Sequence, residues 1–281
     1  MNSTPFDSLL ALAQAEFAAG ALENAIRYCE QAREIAQQLG NQLMEAVALH
    51  RIGAAESERG NLERAASLLS AAAEIYKSKS CEDALAAVLI DQGIVAKDAG
   101  EYDLAEKIYQ KALELGQRKA MRSIVLAAKG NLAQLARRRG DSATAIALLQ
   151  DVIPEFERLE QWDTLLPLLD TLAATAIETK RYDVALSASK KLQTLATNTN
   201  QLDLHAATTA NMGHVYNLLH QFEDSKRAYE EALDCFRRLG DVKGMSHCYV
   251  GLASAAQIIG TDAEMILYLR LAKDPTADSM E

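Results

Sequence analysis

The twenty residues from Gly93 to Ala112, GIVAKDAGEYDLAEKIYQKA, carry the pattern that decides the fold. They read as the end of one helix, a Gly-x-Tyr turn at Gly100, and a second helix bearing alanine, an aromatic and alanine at helical spacing. In steps of forty residues, Gly100 falls on Gly60 and Gly20 in one direction and on Gly140, Lys180, His220 and Gly260 in the other. Seven copies follow one another without an insertion or deletion. A fixed period of this length marks stacked units that each bury an apolar face only against their neighbours. The expected fold is all-α, a right-handed α-solenoid or superhelix of about seven helix pairs. The pairs fall near residues 2–40, 41–80, 81–120, 121–160, 161–200, 201–240 and 241–273, forming one domain over 1–273 with a disordered tail at 274–281.

Side-chain size follows the same register. The residue seven before each turn is always small: Ala13, Gly53, Gly93, Ala133, Ala173, Gly213 and Ala253. A small group there lets two helix backbones approach closely. Five after the turn stand Ala25, Ala65, Ala105, Ala145, Ala185 and Ser225, giving way to Met265. Nine after it, Tyr109 and Tyr229 fill the space between helices, with Leu69, Leu149 and Leu269 as substitutes, and twelve after it alanine returns at Ala32, Ala72, Ala112, Ala232 and Ala272. Small, large, small at helical spacing makes an interdigitating helix-pair core.

This pattern resembles the tetratricopeptide repeat, W-x2-L-G-x2-Y followed by A-x3-F and A, over roughly residues 5 to 273. The departures are a first-helix tryptophan replaced by leucine in most copies, the absence of the closing proline, and a period of forty residues in place of about 34. The longer period implies helices of about 16 to 18 residues, each roughly 25 Å long. Boundaries such as Leu39-Gly40-Asn41 and Leu239-Gly240-Asp241 are similar to those of LGN-type polarity adaptors and of bacterial peptide-sensing regulators. The resemblance implies a receptor for a peptide or protein, with first helices lining its inner surface. Members that clamp a chaperone C-terminus use groove lysines near the start of first helices. The matching positions here, Val47, Ala87, Ala127 and Ala207, carry no charge, so recognition of that type is not expected.

Composition narrows the function classes. A net charge of −10 argues against nucleic acid and against anionic membranes as partners of the surface as a whole. The opening stretch MNSTPFDSLLALAQAEF lacks a basic region and a cleavage site, and no long apolar run exists, so a soluble cytoplasmic protein without membrane insertion is expected. The four cysteines, Cys29, Cys81, Cys235 and Cys248, show no paired spacing and read as free packing thiols. The histidines His50, His205, His214, His220 and His247 have no metal-ligand spacing. No nucleophile elbow, P-loop or dinucleotide fingerprint occurs, so a non-enzymatic protein without cofactor or metal is expected.

Candidate binding residues come from the first-helix faces that the helix-pair core leaves over. Nine before the turns lie Arg51, Asp91, Asn131, Thr171 and Asn211, six before them Gln134 and His214, and three before them Lys97, Arg137 and Asn217. Amide side chains can both donate to and accept from a peptide backbone, which suits such a face to an extended segment. Between Gly116 and Gly140 lie seven basic residues, Arg118, Lys119, Arg122, Lys129, Arg137, Arg138 and Arg139, and no acidic one. This strip is either a site for an acidic or phosphorylated segment or a solvated face neutralised by Asp98, Glu101, Asp141 and Glu178.

Two irregularities stand out. Pro154, inside a second helix, should kink it or end it early, near the lone Trp162. The last helix, MILYLRLA (Met265 to Ala272), presents apolar groups on more than one face. The sequence therefore predicts a protein-protein interaction scaffold, adaptor or assembly factor that binds another protein or peptide, an acidic one if the basic strip is the site. The alternatives are a peptide-responsive receptor controlling a separate effector, and a self-assembling scaffold or homodimer joined through the C-terminal helix.

Overall fold

The computed structural model describes residues 4–277, which contain fourteen helices and no strand. In chain order they are α1 (Pro5–Ala18), α2 (Leu22–Gln38), α3 (Gln42–Glu58), α4 (Leu62–Ser78), α5 (Glu82–Asp98), α6 (Tyr102–Arg118) and α7 (Arg122–Arg138). There follow α8 (Ser142–Arg158), α9 (Trp162–Glu178), α10 (Tyr182–Asn198), α11 (Leu202–Leu218), α12 (Phe222–Leu239), α13 (Val242–Ile259) and α14 (Asp262–Lys273). Odd-numbered helices pack against their successors, α1 with α2, α3 with α4, α5 with α6, α9 with α10, α11 with α12 and α13 with α14.

The helices end by one device repeated at half the sequence period. A residue with left-handed backbone closes a helix every twenty positions, at Gly20, Gly40, Gly60, Ser80, Gly100, Ala120, Gly140, Glu160, Lys180, Asn200, His220 and Gly240. The amide of the next residue then reaches back to a carbonyl five positions earlier, as Asn61 does to Glu56 at 2.9 Å and Glu101 to Ala96 at 2.8 Å. Carbonyls left over at the helix end are thereby satisfied. The last connection differs: Gly260 has φ −103°, and α14 starts instead from a capping box between Thr261 and Glu264.

By packing, the chain divides into two compact units, one ending at Leu135 and the other beginning at Ala136. In the first, Ala65, Leu69, Ala72 and Tyr76 of α4 pack with Leu49 of α3 and Val88 of α5, while Ala105, Tyr109 and Ala112 of α6 meet Ile90 and the α7 residues Ala128 and Leu135. A Cβ on Gly93 would overlap the ring of Tyr109, and one on Gly53 would stand 2.8 Å from Leu69 Cγ. Small and large residues are therefore matched across these two pairs. The same unit buries one charge completely: Glu56 is 0% exposed, with Asn61 Nδ2 donating to its Oε2 at 2.6 Å. Arg64 Nη1 stands 2.9 Å from its Oε1, an ion pair without an aligned hydrogen bond, and Arg59 Nη1 lies 3.7 Å from Oε2.

In the second unit Tyr229 of α12 is wedged between Gly213 of α11 and Gly251 of α13, both of which would strike its ring if they carried a Cβ. Around it Leu233, Phe236, Met245, Tyr249 and Leu252 form the core. Of the two outcomes expected at Pro154, the early end does not occur. α8 runs through Pro154 to Arg158 and does not end early, because a lost bond near a helix end removes little from a helix packed along its length. α9 likewise continues through Pro167. Trp162 is the first residue of α9 and 38% exposed.

At the other end of this unit, α14 buries Leu271 and stacks Tyr268 on Tyr249, with ring centroids 6.4 Å apart. It leaves Ile266, Leu267 and Leu269 exposed. Leu269 is 45% exposed, whereas its register mates Leu69 and Tyr109 are fully buried, because each of those lies between its own pair and a following helix. Asp274 to Ala277 form a turn closed by Thr276 Oγ1 donating to Asp274 Oδ1 at 2.8 Å. The rest of the expected disordered tail, 278–281, lies outside the described residues, as do residues 1–3. Among the described residues no helix is long and apolar enough to cross a membrane, and none of the His, Cys, Asp or Glu side chains group to hold a metal ion.

Candidate functional site

First helices of successive pairs neighbour one another, α3 beside α5 in the first unit and α11 beside α13 in the second. Their outward faces hold the residues singled out in the sequence, and the two units use them differently.

In the first unit the polar groups are largely spent on each other. Arg51 donates from Nη1 to Gln14 Oε1 at 2.6 Å, linking α3 to α1. Asp91 on α5 is held by His50 Nε2 at 2.7 Å, and Lys97 lies 3.4 Å from Asp98. Asn131 turns back on its own helix and donates to the Ala127 carbonyl at 3.0 Å, while Gln134 is half-buried beside it. The Arg51 and Asp91 contacts tie repeats together, and each of the four reduces what the wall can offer a ligand.

The second unit keeps more in reserve. Asn211 and His214 on α11 are exposed and make no intramolecular hydrogen bond among the described residues. Asn217 donates from Nδ2 to the Gly251 carbonyl of α13 at 3.1 Å, and its Oδ1 is buried without a protein partner among the described residues. His247 on α13 faces the Tyr229 ring at 6.0 Å between centroids. Burial, and then the nearby His214, push the His247 imidazole below its ordinary range. Arg137 donates to Glu178 Oε1 at 2.9 Å while its Nε is buried without a partner among the described residues, and Arg138 is exposed. Thr171 is buried and donates to the Pro167 carbonyl at 2.7 Å, the first rung of a ladder continued by Thr175 and Thr179. It presents no free hydroxyl.

The basic strip is committed within the chain. Arg118 lies 3.2 Å from Glu82, which Lys119 also grips, and these contacts hold the Glu82 carboxyl below its usual range. Arg137 is paired with Glu178, and none of Arg122, Lys129, Arg138 and Arg139 is free. The partner of Arg137 is one of the acids that the sequence offered as neutralising the strip.

Sequence reasoning passed over three groups. His50 and His205 each pair with a carboxylate, His205 Nε2 lying 3.0 Å from Glu231. Cys235 shares a crevice of about 500 Å³ with His205, yet burial raises its thiol above the ordinary range, the reverse of an activated nucleophile. The spacing places Glu56 among the inward positions, but its pairing with Arg59 and Arg64 was not read from the sequence. Its signal is its place four before the turn, where Ala96, Ala136, Ala176 and Ala256 stand in other copies.

Comparison with known proteins follows this geometry. The sequence profile of the tetratricopeptide repeat matches residues 6–78 and 84–157, just over half of the chain. Among curated proteins none matches the sequence. Among solved structures, the chain is similar to the signal transduction ATPase with numerous domains (STAND) protein PH0952 of Pyrococcus horikoshii, which has a tetratricopeptide repeat sensor. The identity is 16% and the TM-score 0.81, covering 97% of this chain and 42% of that one. It is similar to the apo form of RapI at 14% identity and TM-score 0.68, covering 96% of this chain and 97% of that one. A Rap protein complexed with competence and sporulation factor gives 13% identity and TM-score 0.65, covering 98% and 78%. At these identities the structures speak for the fold alone, but with the profile match the conclusion is firm: the chain belongs to the tetratricopeptide repeat family.

Proposed function

We propose that the protein is a non-catalytic binding scaffold or adaptor whose second unit recognises a segment of another protein along α11 and α13. The observation that carries this is the unspent polar set there. Asn211 and His214 stand exposed with free donors and acceptors, and Asn217 holds a buried acceptor without a protein partner among the described residues. A peptide backbone supplies alternating N–H and C=O groups, and amide and imidazole side chains match both. In this reading Arg51 and Asp91 serve chiefly to tie the first unit together, and Lys97 and Asn131 are engaged within their own helices. The acidic preference and dimerisation through α14 are not needed for it.

A regulatory receptor is the second reading, supported by the STAND relative, whose repeat array is a sensor, and by the Rap protein held in complex with competence and sporulation factor. Differential binding to two conformations would then pass the signal to a separate protein.

The test is affinity capture from a lysate of the cells that make the protein, with mass spectrometry, comparing the wild type with an Asn211→Ala/His214→Ala variant. Loss of a specific partner from the variant supports the site. An identical set of captured proteins refutes it. Hydrogen exchange with the identified partner then divides the two readings: protection confined to α11 and α13 favours the scaffold, and protection spreading through other helices favours the receptor.

A further inference from the structure

The first unit contains two register-equivalent spaces between neighbouring second helices, and the chain fills only one. Between α2 and α4, over α3, the space holds the Ile26 side chain and the charges of Glu56, Arg59 and Arg64, with Glu23 3.2 Å from Arg59 and Glu30 3.1 Å from Arg64. Forty residues on, between α4 and α6 over α5, every large or charged member of that set except the first acid has been exchanged. Ile26 becomes Ala66, Glu56 becomes Ala96, Arg59 becomes Ala99 and Arg64 becomes Leu104, while Glu23 persists as Glu63. What remains is an open crevice of about 380 Å³ with Ala66, Val95, Ala99, Leu104 and Ile108 on its walls and Glu63 and Glu101 at its rim. Leu104 is 46% exposed. Neither Glu63 nor Glu101 has an ion pair among the described residues, and Arg64, which reaches the neighbouring rim, is engaged by Glu30 and Glu56.

We propose that this crevice receives an arginine from a partner protein, in the place that Arg59 occupies one repeat earlier. The aliphatic stem lies against Ala66, Ala99 and Leu104, and the guanidinium reaches Glu63. An arginine fits both halves of the site, because its stem covers apolar surface while its planar head pairs with a carboxylate. An aspartate or glutamate would meet two uncompensated acids, and a purely apolar side chain would leave them unanswered. The surface lies in the first unit, and its test stands or falls independently of the α11 and α13 site.

Methyl NMR of the full chain, following Leu62, Val95, Leu104 and Ile108, tests this with the capped pentapeptide Ala-Leu-Arg-Leu-Ala and with versions carrying norleucine or glutamate in place of arginine. Expected is saturable binding of the arginine peptide on the order of 1 mM. The norleucine and glutamate peptides should bind about 3- to 10-fold more weakly, the range for a partly exposed charge-assisted contact. Ala99→Arg, which supplies the missing guanidinium from within, should abolish binding while the methyl spectrum elsewhere keeps its folded pattern. Glu63→Gln should lower affinity for the arginine peptide to that of the norleucine one, and it covers the case in which the arginine variant fails to fold. No saturable shift for any peptide, equal affinity for all three, or unchanged binding to a folded Ala99→Arg or Glu63→Gln variant would each overturn the proposal.

Discussion

Adding one methyl group at Gly93 tests the size matching on which the array rests, because two effects of opposite sign compete there. In an open helix interior, Gly→Ala stabilises by about 1 kcal/mol through lost backbone freedom in the unfolded chain. At Gly93 the added Cβ overlaps the Tyr109 ring, and Tyr109 is fully buried against α5 and the core around it. The ring cannot swing aside without displacing that core, and overpacking of this kind costs typically 1–3 kcal/mol. Taking the upper end, Gly93→Ala should be destabilising by about 2 kcal/mol net. A leucine relieves the overlap, and Leu69 is fully buried at the equivalent position one repeat earlier. Gly93→Ala/Tyr109→Leu should therefore be more stable than the sum of the two single changes predicts, with a coupling of about 2 kcal/mol. Urea unfolding followed by hydrogen exchange at α5 and α6 amides measures both quantities within the first unit, whether or not the whole chain unfolds in one step. A Gly93→Ala variant as stable as the wild type, or singles that simply add, would refute the matched-size account.

The left-handed helix ends give a prediction of opposite sign. Ala120 and Glu160, at φ 56° and 52°, hold side chains in a conformation that strains them, so Ala120→Gly and Glu160→Gly should each stabilise by about 0.5–1 kcal/mol in thermal melts. Glu56→Gln should destabilise the first unit by about 2 kcal/mol, because it leaves a buried amide between two arginines that lose their charge partner, and Arg64→Met in that background should then cost little in a double-mutant cycle. Stability should fall with acid in two steps. His247 is depressed from 6.5 by burial and by His214, so the unfolded chain takes up the proton first and stability drops as pH falls through about 6.5. Glu82, Asp141 and Glu264 are depressed by hydrogen bonds from Lys119, Thr144 and Thr261, so their contribution is present above their unfolded values near 4.5, 3.8 and 4.5 and is lost as pH falls through the folded ones. Denaturant melts at several pH values should show both steps, and His247→Asn should remove only the upper one.

What could be read from the sequence is what every copy repeats. The forty-residue period, the small residue seven before each turn and the partner nine after it are demands of packing, and they recur because each pair solves the same problem. The matched sites Gly93 with Tyr109 and Gly213 with Tyr229 were visible as spacing before any coordinate. The halved period at helix ends was not, because Ser80, Ala120, Glu160 and Asn200 adopt a glycine's backbone without being glycine. Individual binding residues were less legible still. Thr171 occupies the same register as Asn211, yet its hydroxyl turns back to the Pro167 carbonyl one turn earlier, and the side chain is buried. Asn131 likewise returns to its own helix. Register fixes which face a residue occupies, while the partner chosen by a polar side chain depends on the neighbouring copy, and the neighbours differ.

The match of Gly93 with Tyr109 closes inside a single helix pair, so duplicating that forty-residue block carries both halves of the fit along, whereas Tyr229 also needs Gly251 of the block that follows. The charges around Glu56 do not travel that way: Arg59 and Arg64 come from the same block, but Glu23 and Glu30 belong to the block before. Lengthening or shortening this protein by whole blocks should therefore cost most at that seam, where a transplanted repeat would arrive with its arginines and leave their acids behind.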